Sequence, residues 1–590
     1  MASDRLTSVA VGAILLVALG LRLFLLTGQS LWYDEGVSAY MTPRTFAEIA
    51  AATSVDIHPP LYYWLLATWA AAFGQGEAAL RSLSVVFGTL TVWVTWKLGQ
   101  LVAGRATGLA AATLLAVSPL AVQYSQEVRM YAQAGLLAAA SSWAGLALLR
   151  ALTGGTASRR QFTLLSLAYG LLAGALLYTH YYGTLVVAAQ QVFAGLALLT
   201  SRRWRIVPWW GLASGLAAAL FLPWLPVALR QTGYYPGLGS PHPAWALVLD
   251  AFNVLSIGIA TTRFGFRAGL APFLGLAALG VGWLALRSGF HLTKDVPLPP
   301  HPYSPPWGPS PSTNDGAPPL RGIPVSADPH GPVRGRGGVR QLPLPLGENW
   351  GEGVSRTRLT PQIVYLLLWL LLPLAGIVIL SQTRPLYEPR FLMLVLPAWV
   401  ILLGAGLVAL GQGAGTLLTG QLGLPPAARQ IAVVALAMVV AVSLLIPTAR
   451  SLASYYFDPV YARDDYRGLA QTIMLREQPD DAIILTAPGQ VEIFGYYFHG
   501  QADLFPLPQQ RPIDPADTRA RLEALAETHD RVWLVRWAAN EADPDDLILG
   551  WLEGRGRRLG NQSFGRVELR LYDLRGIASR PPGIHQRGNL

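Results

Sequence analysis

The sequence predicts an α-helical polytopic membrane protein with a structured first outer loop and a small α/β domain after the last span. Three observations predict it. Of 590 residues, 52% are hydrophobic and only 13% charged, about half the charge of a typical soluble protein. Apolar runs long enough to cross a bilayer recur along most of the chain. Lys and Arg concentrate in alternate connections between those runs, which is the positive-inside pattern.

The apolar segments fall at about 6–26, 80–101, 107–121, 132–150, 162–179, 183–200, 206–229, 268–287, 361–380, 391–411 and 430–447. That is about eleven spans, of which 107–121 is the shortest. The first follows Asp4 and Arg5 without a small-residue cleavage site, so it reads as an anchor. With the N-terminus inside, the inner connections carry Lys97 and Arg105; Arg150, Arg159 and Arg160; and Arg202, Arg203 and Arg205. This bias accounts for the net charge of +10 without nucleic acid. An odd number of spans puts the C-terminal part outside. Cysteine is absent, which excludes disulfides, thiolate nucleophiles and cysteine-ligated metals.

Two regions are not membrane. Residues 288–360 are rich in Pro and Gly and lack periodicity, and read as a disordered inner loop within a membrane domain of residues 1–450. Residues 451–590 form the α/β domain. "DDAIILTAPG" and "DRVWLVRWA" read as buried strands, "PADTRARLEALAETH" as a helix and "RVELRLYDL" as an edge strand.

The first outer loop, about 27–79, has its own structure. Thr45 and Glu48 fit a capping box, and "LYYWLLATWAAAFG" is apolar but short for a span, so both segments read as helices at the interface. The loop opens with "SLWYDEGVSAY", residues 30–40. Neighbours on a helix do not share a face, so Asp34 and Glu35 should have different jobs. The plain reading is Asp34 capping a helix over 35–42. The functional one is a general base at membrane level. Asp56 and His58 in "DIHPPL" could converge on that pair or be turn residues.

Further candidates lie at the outer ends of later spans. "QYSQEVRMYAQ" holds Tyr124, Glu127, Arg129 and Tyr131, and an ionisable residue at membrane depth is a functional candidate. Arg129 suits bidentate phosphate binding. "YTHYYG" holds His180 and Tyr182. "RPLYEPRFL" holds Arg384, Tyr387 and Arg390, placed outside against the charge bias. Arg22, late in the first span, reads as a snorkelling residue. No P-loop, dinucleotide fingerprint or HExxH is present.

"LWYDEGVSAY", "DIHPPLYYWLLATWAAAFG", "SPLAVQYSQEVRMYA", "YTHYYG" and "EPRFLMLVLPAW", in that order, resemble the GT-C type integral-membrane glycosyltransferases. The closer resemblance is to their bacterial branch related to protein O-mannosyltransferases and the lipid A aminoarabinose transferase. It covers about residues 1–450, and the 288–360 insertion departs from it. The resemblance implies a GT-C fold in a bacterial inner membrane. It also implies a polyprenyl-phosphate sugar donor and inverting transfer on the outer face. Asp34 matches the catalytic acid of the family, Glu35 its partner, and Asp56 and His58 the second motif. The lipid-phosphate role of Arg129 and Arg390 is an expectation from their placement. The acceptor, a glycan, lipid or protein, is left open.

The chemistry agrees. A sugar hydroxyl needs a base, whereas the leaving phosphate monoester is a stable anion with a second pKa of about 6. One carboxylate and a cationic clamp suffice. Adjacent acids could not flank one bond as the pair in a glycosidase does. No obligatory cofactor is expected, although a divalent metal at Asp34, Glu35 and Asp56 is an option. The rivals are a transporter or lipid flippase, and an assembly protein. The first predicts charges near mid-bilayer and two related halves; the second leaves the acidic loop unexplained.

Overall fold

A computed structural model describes residues 2–154, 157–234, 241–260, 267–286, 361–420, 425–510 and 512–575. The proline-rich segment expected at 288–360 lies outside the described residues. Among the described residues eight helices are long and apolar enough to cross a membrane, from Asp4–Leu23 to Ala427–Phe457. Two bent pairs raise this to ten. The eleventh expected span is the 16-residue helix Ala271–Leu286. At 1.5 Å per residue it is about 24 Å long, short of the roughly 30 Å hydrocarbon core.

The bends have a cause in the sequence. Arg105–Val117 and Pro119–Ser125 meet at 58°. Pro119 has no N–H to give to the carbonyl of Leu115, so the helix ends there and restarts with Ser118 as its cap. Arg22 fills the gap. It is fully buried, donates to the carbonyls of Leu115 (3.4 Å) and Ala116 (3.1 Å), and donates to Ser125 Oγ (3.1 Å). It therefore does not snorkel; the proline break gave it buried acceptors. The restarted helix delivers the chain to residues 126–130, which carry Glu127 and Arg129.

The first loop holds three helices, Tyr33–Met41, Phe46–Val55 and Leu61–Phe73. The first begins two residues earlier than expected. Trp32 is its N-cap, and the Glu35 carboxylate accepts the Trp32 N–H at 3.3 Å, so Asp34 is not the cap. The Thr45–Glu48 capping box is present, with Glu48 accepting the Thr45 N–H at 2.8 Å.

The last long helix, Pro426–Phe457, runs past residue 451, so the α/β domain starts after Phe457. Its strands are β1 (Asp481–Leu485), β2 (Asp503–Pro506), β3 (Arg531–Arg536), β4 (Arg557–Phe564) and β5 (Val567–Asp573). The sheet order is β2-β1-β3-β5-β4. The pairs β1–β2 and β1–β3 are parallel; β3–β5 and β4–β5 are antiparallel. The stretch "RVELRLYDL" is thus interior, and the largely exposed β4 is the edge. Alternation in β5 marks one covered face, a property antiparallel strands have at any position.

This domain docks on the first loop. Ser30 Oγ donates to the Asp464 carbonyl (2.9 Å), the Tyr497 hydroxyl accepts the Leu31 N–H (2.7 Å), and Tyr33 stacks on Trp537 at 4.7 Å. The helix Gln490–Tyr497 lies against Tyr33–Met41 at Gly36, where a Cβ would run into the Cα and Cβ of Ile493. These contacts put domain and loop on the same side of the membrane, whatever the number of spans.

Candidate active site

A cavity of about 490 Å³ opens beside the first helix of the loop. Asp34, Asp56, His58, Arg129, Tyr131 and Arg390 line it, with Tyr33, Arg44, Phe391 and Glu492 among the others. Residues from four separate stretches of the sequence motifs therefore meet in one place.

Asp34 lies between two guanidinium groups. Its Oδ2 accepts from Arg390 Nη1 at 2.9 Å and lies 3.9 Å from Arg129 Nε. Arg129 is 4% exposed and is held from several directions. It donates to the Asp34 carbonyl (3.3 Å), the Tyr63 hydroxyl (3.3 Å) and Ser38 Oγ (3.5 Å). Its Nη2 faces His58 Nε2 at 3.4 Å, and His58 Nδ1 faces Asp56 Oδ2 at 3.4 Å. Burial pushes the His58 imidazole below its usual value, against the pull of Asp56. Neutral His58 then carries its proton on Nδ1, toward Asp56, and offers Nε2 to Arg129. Burial is the largest influence on the Asp56 carboxyl and would raise it, but His58, the Ile57 N–H and Arg129 together outweigh it and the net shift is down. The result is a fixed row: Asp56, His58, Arg129, Asp34, Arg390. The Nε atoms of Arg129 and Arg390 are buried without a hydrogen-bond partner.

Aromatic rings back this row. Tyr131 lies under both guanidinium groups, 5.9 Å from Arg129 and 5.6 Å from Arg390. Tyr124 packs edge-on to Tyr131. His180 is buried, stacks on Tyr182 and abuts Phe391 at 5.0 Å. These three expected site residues form the support behind the cavity.

Four others lie elsewhere. Glu35 is fully buried and does not line the cavity. Arg81 donates to it twice (2.9 and 2.7 Å), Arg463 once (3.0 Å), and the Val128 N–H once (2.8 Å). Burial would raise its carboxyl, but the two arginines and the Val128 N–H hold it below the usual range. A catalytic Glu35 is therefore corrected to a buried ion-pair residue: its oxygens are already taken. Glu127 joins the same cluster, accepting from Arg463 Nη2 at 2.9 Å, and burial raises its carboxyl to about 7. Arg384 donates to the carbonyls of Thr232 and Gly233, and the Tyr387 hydroxyl donates to Asp250 at 2.8 Å. Neither lines the cavity. With Glu35 turned away, the three acids do not form a joint ligand set. Among the described residues no group of three or more His, Asp or Glu is placed to hold a metal ion.

Sequence reasoning missed Arg81, Arg463 and Glu492. Arg81 sits inside an apolar segment, a signal that was there to use. Arg463 and Glu492 carry no local signal, because the partners of Arg463 and the other acids of the cavity that Glu492 joins are hundreds of residues away.

Residues 57–226 match the family model PMT_2, described as dolichyl-phosphate-mannose-protein mannosyltransferase. Among solved structures, ArnT from Cupriavidus metallidurans in the apo state aligns with TM-score 0.53 and 14% identity over 97% of this chain and 98% of that one. At that identity the likeness is one of fold, and the chain shares the fold of this structure. The same ArnT bound to undecaprenyl phosphate aligns with TM-score 0.53 and 12% identity, over 98% and 99% of the two chains. The archaeal oligosaccharyltransferase AglB from Archaeoglobus fulgidus, in complex with an inhibitory peptide and a dolichol-phosphate, aligns with TM-score 0.55 and 11% identity, over 94% of this chain and 73% of that one. No curated protein sequence matches the chain. The ArnT alignments extend beyond the membrane helices, since at 97% and 98% of this chain they span the C-terminal domain as well.

Proposed function

We propose that the protein is an inverting glycosyltransferase that moves a sugar from a polyprenyl-phosphate donor to an acceptor hydroxyl, with Asp34 as general base. The observation that carries this reading is the Asp34 carboxylate facing the cavity between Arg390 and Arg129. Both arginines line the cavity beside Asp34, so a phosphate there would meet two cationic side chains. The ArnT structure bound to undecaprenyl phosphate and the AglB structure with dolichol-phosphate agree with a lipid phosphate as donor handle.

The step needs few parts. The acceptor hydroxyl gives its proton to Asp34 and its oxygen forms the new bond to the anomeric carbon. The bond from that carbon to the phosphate oxygen breaks, and the electron pair stays on the phosphate. A single displacement inverts the anomeric centre. Arg390 and Arg129 stabilise the growing phosphate charge, so no general acid is required. A phosphate at Arg390 would also draw that arginine away from Asp34 and free the carboxylate to act as base. A divalent metal is not part of this scheme.

The reading places the cavity on the outer face of a bacterial inner membrane. Lys97, Arg105, Arg150, Arg159 and Arg160 all lie at helix ends opposite the cavity, which suits the cytoplasmic side.

The test is transfer of labelled sugar from membrane polyprenyl-phosphate sugars by Asp34→Asn. Loss of a base predicts a fall of about 10³-fold with thermal stability kept. Full activity in the folded variant would end the assignment of Asp34.

A further inference from the structure

The C-terminal domain does more than cover the cavity. It places one carboxylate in it. Glu492 stands in the first turn of Gln490–Tyr497 and lines the same cavity as Asp34. The residue is half-buried, yet its side chain makes no hydrogen bond or ion pair among the described residues. Its neighbours are otherwise well paired: Ile493 is packed under Gly36, and Tyr497 bonds Leu31 and Glu77. The helix is thus clamped at several points, and the group it aims into the cavity is the one left unpaired.

The charges that act on Glu492 show where along the cavity it sits. They are Asp56, which burial and like charge set against it, and Arg44 at the rim. The phosphate-binding arginines are not among them. Glu492 and Asp56 both line the cavity, with Arg44 among its walls, and each carboxylate feels the other's charge.

We infer that Glu492 is a carbohydrate-binding residue, and that with Asp56 it takes hydrogen bonds from sugar hydroxyls in the reacting complex. A carboxylate offers several acceptor sites and no donor, which matches a neutral ligand rich in O–H donors. An anion would be repelled there. The inference rests on the glycosyltransferase reading and adds that a second domain reads the carbohydrate. The hydroxyls belong either to the donor sugar or to the acceptor.

The experiment uses the full-length protein in nanodiscs, wild type and Glu492→Gln. Three quantities are measured: affinity for undecaprenyl phosphate, hydrolysis of undecaprenyl-phosphate mannose, and sugar transfer to endogenous membrane acceptors. Undecaprenyl phosphate has no sugar, so its affinity should stay within about twofold, which also shows that the variant folds. Loss of hydrogen bonds to a charged acceptor should raise an apparent KM about tenfold or more, with a smaller change in kcat. A raised KM for hydrolysis assigns the hydroxyls to the donor sugar. A raised KM for transfer alone assigns them to the acceptor. Unchanged KM in both overturns the inference while leaving the donor reading intact. A wild-type enzyme that does not bind undecaprenyl phosphate overturns the donor reading and this inference with it.

Discussion

Asp34 and Glu35 are adjacent, chemically alike, and differ in everything around them. Asp34 faces a cavity, partly exposed, with one arginine in hydrogen-bond contact. Glu35 is fully buried among two arginines and a backbone N–H. One step along a helix turns the side chain by about 100°, enough to move from an open cavity to a buried joint. The difference teaches that the motif is a composite. Asp34 lines the cavity, Glu35 ties the loop to Arg81 and Arg463, and Gly36 lets the C-terminal domain come close.

The comparison is broken most sharply at Glu35. Glu35→Gln leaves two buried guanidinium groups short of a countercharge, a loss of about 3–5 kcal/mol. Its expected signature is the reverse of Asp34→Asn: a large drop in thermal midpoint, with transfer by the surviving folded fraction falling far less than about 10³-fold. A Glu35→Gln protein that is stable but inactive would put the base back in question.

Gly36→Ala comes next. The added methyl meets the Cα of Ile493 as well as its side chain, and overpacking of this kind costs about 1–3 kcal/mol. Limited proteolysis should release the C-terminal domain faster, and Ile493→Ala should not rescue it. A full rescue would mean that only the isoleucine side chain sets the separation.

Glu127 gives the smallest effect. Its carboxyl, raised to about 7, keeps a proton that the unfolded chain has lost. Stability should therefore fall as pH rises from the ordinary carboxylate range through about 7. Glu127→Gln should flatten that slope in thermal unfolding at pH 5 to 8. An unchanged slope would point to another group.

Much of this was legible in the sequence. The apolar runs gave the spans, and the helices of the first loop followed from the Thr45–Glu48 box and from "LYYWLLATWAAAF". The motif order brought Asp34, Asp56, His58, Arg129 and Arg390 into consideration, and all five line the cavity. What failed did so for physical reasons. Nothing local distinguishes Glu35 from Asp34, since the arginines that decide the matter lie 46 and 428 residues away. Arg22 was misread because its acceptors come from a break in another helix. The alternation of β5 reports a face and not an edge.

The tie between Glu35 and Arg463 also has a meaning in time. The two residues are 428 positions apart. At about 5–20 residues per second, a ribosome takes roughly 20–90 s to go from one to the other. Throughout that interval the acidic loop has left the ribosome without its final partner, and Arg81 alone faces Glu35. The joint closes only when the last membrane helix is in place and the chain beyond it has folded. A half-made chain therefore has the cavity carboxylate but not the clamp that holds its helix in position.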